Sequence, residues 1–441
     1  MVAPIPLHGI GTRGDLPLPF PFVVGGAAAA LAVSFAVLFL AWRTPRYDSV
    51  GGFQLPALTA VVDHPGFRWG ARAAVLTVYV WSGMALVAGK DLLTNPVFGF
   101  VYAWMWVGLV PLSLLLGPFW RATNPLRTIH STLCWIARTD PEQGLVRLPR
   151  SLGIWPAAVG LFAFAFLELV QPDRTTLVVL RLWALMWLVV LVLGAVVLGR
   201  RWIGAADPFE SYATAVAQLS VWRRVGDQIR LVNPLAGLSR WTPPPGLPAV
   251  VSVLLGATAF DSFSNTSWWI STVQSSELSA TLWATSGLVA MTVIVFSTFC
   301  AASVSMARYR NDRAVRVLDF PRLMSASVIP IVIGYVVAHY ATLLLVEGQR
   351  TAITMSDPLG RGWNVLGSAE MGVNTAIFDH PTVIACVQLG AIMLGHLIGI
   401  VVAHEKSVAL VRPTAALAAQ WPMLVVMISY TCSGLLLLFS P

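Results

Sequence analysis

Residues 175–198 read TTLVVLRLWALMWLVVLVLGAVVL, a run in which Arg181 is the only charged side chain. A helix needs about 20 apolar residues to cross the hydrocarbon core of a bilayer. Similar runs recur along the chain, which is 57% hydrophobic and only 11% charged. A soluble domain has roughly 25% charged residues. The sequence therefore predicts an all-α protein, a polytopic bundle of membrane helices.

The apolar runs predict about ten transmembrane helices in a membrane domain of residues 20–441, preceded by an arm of residues 1–19. The arm lacks the basic segment and apolar stretch of a cleaved signal peptide. The predicted spans cover residues 20–42, 71–89, 96–117, 152–171, 175–198, 247–270, 281–302, 324–346, 381–403 and 419–439.

The loops between these spans alternate between arginine-rich and arginine-poor segments. Basic residues collect in cytoplasmic loops, so the pattern predicts that both termini are extracytoplasmic. The only lysines are Lys90 and Lys406, a bias towards arginine that suggests a GC-rich bacterial genome and hence the bacterial inner membrane. The arginine-rich loops include Arg121, Arg127, Arg138, Arg147 and Arg150; Arg200, Arg201, Arg223, Arg224, Arg230 and Arg240; and Arg308, Arg310, Arg313, Arg316 and Arg322.

Two predicted cytoplasmic loops, residues 118–150 and 203–245, contain signals for helices at the membrane surface. Asn124-Pro125 and Asp207-Pro208 each offer an N-cap residue followed by a proline at the first helical position. The segment 212–222 mixes small apolar residues with Gln and Ser, which predicts an interfacial helix that ends near the arginines at 223 and 224.

Residues 348–380 form the longest predicted extracytoplasmic loop. Its Ser356-Asp357-Pro358 and Gly360-Arg361-Gly362 segments are typical of turns. Long loops of this kind serve as lids or ligand contacts, but a simple solvated connection explains the sequence equally well.

Ionisable residues inside the predicted spans are the main functional signal, because a charge at membrane depth is costly. Asp261 lies seven residues before Trp268, and His339 lies eight residues before Glu347. At 1.5 Å per residue both lie roughly 10 to 12 Å below the outer interface. Their common depth predicts that Asp261 and His339 face one another across an aqueous pocket open to the outside.

The run Asp-Ser-Phe-Ser-Asn-Thr-Ser at residues 261–267 is polar enough to interrupt the sixth span. Irregular backbone at this depth requires a cavity or other protein beside it, which favours a functional site. The alternative is structural: Asp261 would bond to Ser262, Ser264 or Asn265, and His339 would be a satisfied core histidine.

Other polar residues accompany this pair. Gln388 and Tyr340 fall at a similar depth, whereas His396 lies deeper, beside small glycines that are typical of helix packing. His404 and the two charged residues that follow it are predicted to end the ninth span at the cytoplasmic surface.

Glu168 and Arg181 flank the short turn between the fourth and fifth spans. Their positions predict an ion pair within this hairpin, since opposite charges at membrane depth favour pairing.

No sequence motif for a cofactor accompanies these residues. Gly9, Gly11 and Gly14 match the spacing of a dinucleotide-binding loop, but no strand precedes them and prolines follow. The net charge of +8 is spread over short loops, so nucleic-acid binding is not expected. The predicted partners are the lipid bilayer and a small-molecule solute.

Four segments resemble a group of actinobacterial integral membrane proteins often labelled fenitrothion hydrolase. They are HGIGTRGDLPLP at residues 8–19, EGQ at 347–349, SDPLGRGW at 356–363 and GHLIGIVVAHE at 395–405. The resemblance covers the whole chain, and the family label implies hydrolysis of a phosphotriester.

The sequence leaves three functions open. In a transporter or solute-binding permease, Asp261 and His339 would form a proton- or cation-linked site, since histidine titrates near neutrality. The ten spans also divide into two sets of five, the parity that an inverted repeat requires. In a metal-dependent hydrolase, the same two residues and Asp357 or Asp379 would hold a divalent ion. The third possibility is an assembly or scaffold subunit.

The alternation of loop charge predicts the topology of the chain. In a cysteine-free background, cysteines near Gly11 and Trp363 should react with an impermeant thiol reagent in intact cells, whereas one near Asn311 should not. Permeabilised cells, in which all three sites should react, are the control. Labelling at Asn311 in intact cells would contradict the predicted orientation.

Overall fold

The computed structural model describes residues 13–47 and 51–439, so most of the predicted arm, including the glycines at 9 and 11, lies outside the described residues. The α-helices are α1 (Phe20–Ala41), α2 (Pro56–Asp63), α3 (Pro65–Ala88), α4 (Pro96–Gly99), α5 (Leu109–Leu116), α6 (Phe119–Thr123), α7 (Pro125–Ala137), α8 (Trp155–Leu169), α9 (Leu177–Leu198), α10 (Arg201–Ala206), α11 (Pro208–Val216), α12 (Pro234–Arg240), α13 (Leu247–Ser264), α14 (Ser267–Gln274), α15 (Ala280–Met306), α16 (Phe320–Met324), α17 (Ile329–Thr354), α18 (Pro381–Leu410) and α19 (Ala416–Leu438). The strands are β1 (Phe53–Gln54), β2 (Trp222–Val225) and β3 (Gln228–Leu231).

The predicted fold class is confirmed. Among the described residues, nine helical segments are long and apolar enough to cross a membrane, and ten if one bent pair counts as a single span. That pair is Pro96–Met105 with Leu109–Leu116, which meet at 47°. Residues Phe100–Met105 form a π-helix at this bend, so the predicted third span is broken.

The chain folds into two compact units that do not follow the two sequential sets of five spans. The first unit comprises the described parts of residues 1–51, 233–342 and 376–441, and the second comprises 52–232 and 343–375. Helix α1 therefore belongs with the C-terminal spans. This division gives no support to an inverted repeat of five consecutive spans.

Small residues set the helix spacing in the first unit, where α13 packs against α15 and α1 packs against α18 and α19. A Cβ atom on Gly256 of α13 would lie 2.6 Å from the Cα atom of Thr292 of α15. A Cβ atom on Gly334 of α17 would lie 2.5 Å from the carbonyl oxygen of Ala391 of α18. These glycines allow the backbones to approach closely, as in other membrane bundles.

The N-caps predicted at Asn124 and Asp207 are confirmed, because each side chain accepts a hydrogen bond from the backbone two residues later. The interfacial helix predicted over 212–222 is wrong. Every residue of α11 except Thr214 is buried within the second unit, and the following segment forms an antiparallel hairpin of β2 and β3. Gly226, with a φ of +64°, starts its two-residue turn.

The C-terminal end of α18 also differs from the prediction. His404, Glu405 and Lys406 are buried, and the helix continues to Leu410. Glu405 accepts hydrogen bonds from the Trp42 indole and from the backbone amides that follow it at 46 and 47. A buried carboxylate needs such donors, so this segment fastens the end of α1 to α18 rather than facing solvent.

Candidate functional site

Asp261 and His339 lie side by side in the first unit and contact one another directly, rather than facing each other across an aqueous pocket as we expected. The His339 Nε2 atom is 2.7 Å from the Asp261 Oδ2 atom. The Tyr340 hydroxyl donates to the same oxygen at 3.3 Å. All three residues are buried, with exposures of 8% for Asp261, 3% for His339 and 1% for Tyr340. The Asp261 carboxylate therefore contacts the His339 imidazole and the Tyr340 hydroxyl in a region that is shielded from solvent.

The local structure around Asp261 directs its carboxylate into the unit. Asp261 lies in the last turn of α13, and the Ser264 hydroxyl and Asn265 amide both donate to its backbone carbonyl, at 2.9 and 2.7 Å. The polar run thus ends the helix instead of breaking it midway. Ser264 and Asn265 thus bond to the backbone carbonyl of Asp261, whereas the Asp261 carboxylate bonds to His339 and Tyr340.

A cavity of about 380 Å³ lies beside the pair, and His339 forms part of its wall. The wall is contributed by α13, α15, α17 and α19 and is mainly apolar. We expected an aqueous pocket, but the aliphatic lining suits a less polar occupant.

Two other predicted residues, Gln388 and His396, lie on α18 where this helix contacts α17. The Gln388 amide donates to the Ala338 carbonyl at 2.9 Å, immediately before His339. His396 is fully buried, its Nδ1 atom donates to the Ile392 carbonyl at 2.9 Å, and its ring meets Tyr335 edge-on at 5.8 Å. Gln388 therefore fixes the segment that carries His339, whereas His396 is bonded within its own helix.

The predicted ion pair between Glu168 and Arg181 is not formed. Arg181 donates from Nε to the Leu86 carbonyl at 2.8 Å and from Nη2 to the Val87 carbonyl at 3.2 Å. Its guanidinium therefore caps the C-terminal end of α3, where unpaired carbonyls favour a cation. Glu168 is buried in α8, close to Tyr102 and Tyr212.

The second unit contains a buried polar cluster that we did not predict. Asn124-Pro-Leu-Arg127 and Asp207-Pro-Phe-Glu210 share one pattern, an N-cap and a proline with a charge three residues after the cap. The Asn124 amide donates to Asp207 at 2.8 Å and to Glu210 at 3.0 Å. Arg127 donates to both Glu210 oxygens, at 2.6 and 2.5 Å. The repeated pattern was the available signal, but only the fold brings its two copies together.

The surroundings of Asp207 in this cluster disfavour its ionised form. It is fully buried, and burial, followed by repulsion from Glu210, raises the pKa of Asp207 to about 7. The one guanidinium of the cluster pairs with Glu210, so it does not neutralise both carboxylates.

The predicted ligands of a divalent metal do not converge. No group of three or more His, Cys, Asp and Glu side chains able to hold a metal occurs within residues 13–47 and 51–439. The Asp357 carboxylate accepts the backbone N–H groups of Arg361 and Gly362, at 2.9 and 2.7 Å, and so stabilises its own turn. A catalytic zinc site normally needs three protein ligands.

Comparison with known proteins identified no relative, since no family model, curated protein or solved structure matches this chain.

The bonding of Arg181 predicts that Glu168 and Arg181 act independently on stability. In a double-mutant cycle in detergent, the effects of Glu168→Gln and Arg181→Met on the free energy of unfolding should add within about 0.5 kcal/mol. Arg181→Met alone should be destabilising because two carbonyls lose their donor. Substantial recovery in the double variant would show that the residues do pair.

Asp207 should make the stability of the protein fall as pH rises. Its folded pKa of about 7 exceeds the ordinary value of 3.8, so the native state keeps a proton that the unfolded state releases. This stabilisation is complete below about pH 4 and is lost as pH rises towards and through 7. Thermal unfolding across this range should show a slope that Asp207→Asn removes and that the exposed control Asp227→Asn retains. An unchanged slope in Asp207→Asn would contradict the assignment.

Proposed function

We propose that this chain is a proton-linked transporter, or a closely related solute-binding permease, of the bacterial inner membrane. Its site is the pair Asp261 and His339 together with the adjoining cavity. The observation that carries the proposal is the 2.7 Å contact between the two side chains in the buried core of a membrane-type unit.

The position of the pair supports a function because a structural bond does not require ionisable groups. Removing two charges from water costs several kcal/mol for each ion, and a well-packed apolar pair often stabilises as well. Ionisable residues retained at membrane depth commonly mark proton relays or solute paths. The cavity next to His339 distinguishes this pair from a closed core contact.

The chemistry of the pair suits the exchange of one proton. With Asp261 ionised, His339 presents an Nε2–H to the carboxylate, and the Tyr340 hydroxyl supplies a second donor to the same oxygen. Protonation of the imidazole then converts a net negative pair into a neutral ion pair. Such an exchange requires a side chain that can gain and lose a proton, and histidine commonly has this role in proteins.

Proton uptake is coupled to solute binding if an occupant of the cavity alters the environment of His339. An apolar group and a hydroxyl group of an occupant interact differently with the neutral and the charged imidazole when they lie against the ring. Proton uptake and solute occupancy are then linked, as reciprocal binding free energies require.

The alternative functions have less support. Metal-dependent phosphotriester hydrolysis, implied by the family resemblance, would require three or more converging ligands, and the described His, Cys, Asp and Glu side chains form no such group. An assembly subunit would have no need for an ionisable pair beside a cavity of about 380 Å³.

Proton uptake by the pair can be measured without knowing the solute. Infrared difference spectra of purified protein in nanodiscs, recorded between pH 5 and 8, should contain carboxylate and imidazole bands from the pair beside the carboxyl band of Asp207. Asp261→Asn and His339→Gln should each abolish the bands of the pair and leave the Asp207 band, while the protein stays folded, because both replacements keep a hydrogen-bonding group. His130→Gln changes another buried histidine, outside the site, and should retain the signal. A wild-type pair that does not change protonation over this range would disprove proton-linked transport.

A further inference from the structure

The cavity beside His339 has a chemically distinctive wall. Its aliphatic part includes Leu255, Met291, Val295 and Leu437, and its polar part consists of hydroxyl groups and His339. No Asp, Glu, Lys or Arg is present among the described residues that line it. At about 380 Å³, the cavity falls within the roughly 300 to 1,000 Å³ of typical small-molecule sites.

Most of the hydroxyl groups already donate to the backbone. Thr258 donates to the Leu254 carbonyl at 2.9 Å, Tyr335 to Tyr430 at 2.9 Å, and Tyr430 to Val295 at 3.0 Å. The remaining hydroxyl groups of the wall are few: Ser262 and Ser433. A polyhydroxylated ligand would leave several of its hydroxyl groups without hydrogen-bond partners, and each buried unpaired group weakens binding.

The exposed residues of the cavity wall all lie on α15 and α19, two helices that are long and apolar enough to span a membrane, which places the opening of the cavity between these helices. Ile294 of α15 and Leu436 of α19 are about half exposed, at 53% and 46%, and Ser433 beside them is exposed. Further towards Met306 and Ala416, the Tyr430 hydroxyl meets Thr298 at 2.5 Å and closes the gap. In a bilayer, such an opening faces acyl chains rather than water.

We infer that the cavity binds an uncharged lipid-soluble amphiphile, with an apolar body and one hydroxyl head, that enters from the bilayer between α15 and α19. This inference rests on the proposed function and names the class of its solute. An apolar chain matches the aliphatic wall, and one hydroxyl can pair with Ser262 or Ser433. A charged head would lack a fixed counter-charge in the wall and would lose its hydration.

The test uses a diazirine-bearing decanol with the full-length protein in nanodiscs. Light-induced adducts should concentrate on the cavity-lining segments of α15 and α19. Excess decan-1-ol should compete, whereas decyl sulfate and decyltrimethylammonium should not. Equal competition by the charged amphiphiles, or adducts spread over all lipid-facing helices, would overturn the inference.

Two variants and a matched control locate the binding site. Ile294→Trp should obstruct the opening, Ala259→Leu should fill the cavity from α13, and each should reduce competable labelling by about tenfold. Val293→Trp is the control, since Val293 neighbours Ile294, is 54% exposed and does not line the cavity. Its labelling should match the wild type. Undiminished labelling in both cavity variants would contradict the proposed location.

The two proposals fail separately. Specific labelling without any pH-dependent signal from Asp261 and His339 would preserve the ligand class and refute proton coupling. A pH-dependent pair without competable labelling would preserve the proton-linked site and refute the lipid-soluble ligand.

Discussion

Every polar group at membrane depth must find a partner within the protein, because the hydrocarbon core offers no water. Helices satisfy the backbone, and the charged side chains follow the same rule. Asp261 meets His339 and Tyr340, Arg181 meets the carbonyl groups that end α3, and Glu405 meets an indole and two backbone amides. These bonds determine which helix ends are joined.

The same rule separates fixed contacts from a candidate site. In the Asn124 and Asp207 cluster, each side chain is directed at another side chain or a helix end within a closed core. Asp261 and His339 also bond to one another, but the imidazole forms a wall of a cavity. A titratable group with space beside it can respond to an occupant, whereas a closed cluster mainly responds by changing stability.

Local sequence predicted what depends on neighbouring residues. The spans, the proline-containing N-caps and the turn chemistry around Asp357 follow from hydrophobicity and backbone preferences. The burial of α11 was not predictable in this way, since its Ala, Ser and Glu residues resemble those of a surface helix. Arg181 was assigned to Glu168 of the same hairpin, but the end of α3, distant in sequence, provides its acceptors.

The sequence by itself determined the membrane class, the approximate number of spans and the common depth of Asp261 and His339, because helical rise converts residue number into depth. Only the tertiary structure decided that the two side chains meet, that α1 joins the C-terminal spans and that an apolar cavity lies beside His339. The physical reason is that depth fixes one coordinate of a helical residue. Its rotation about the helix axis and the identity of the neighbouring helix depend on packing, which is set by close approaches such as that of Gly334 to Ala391.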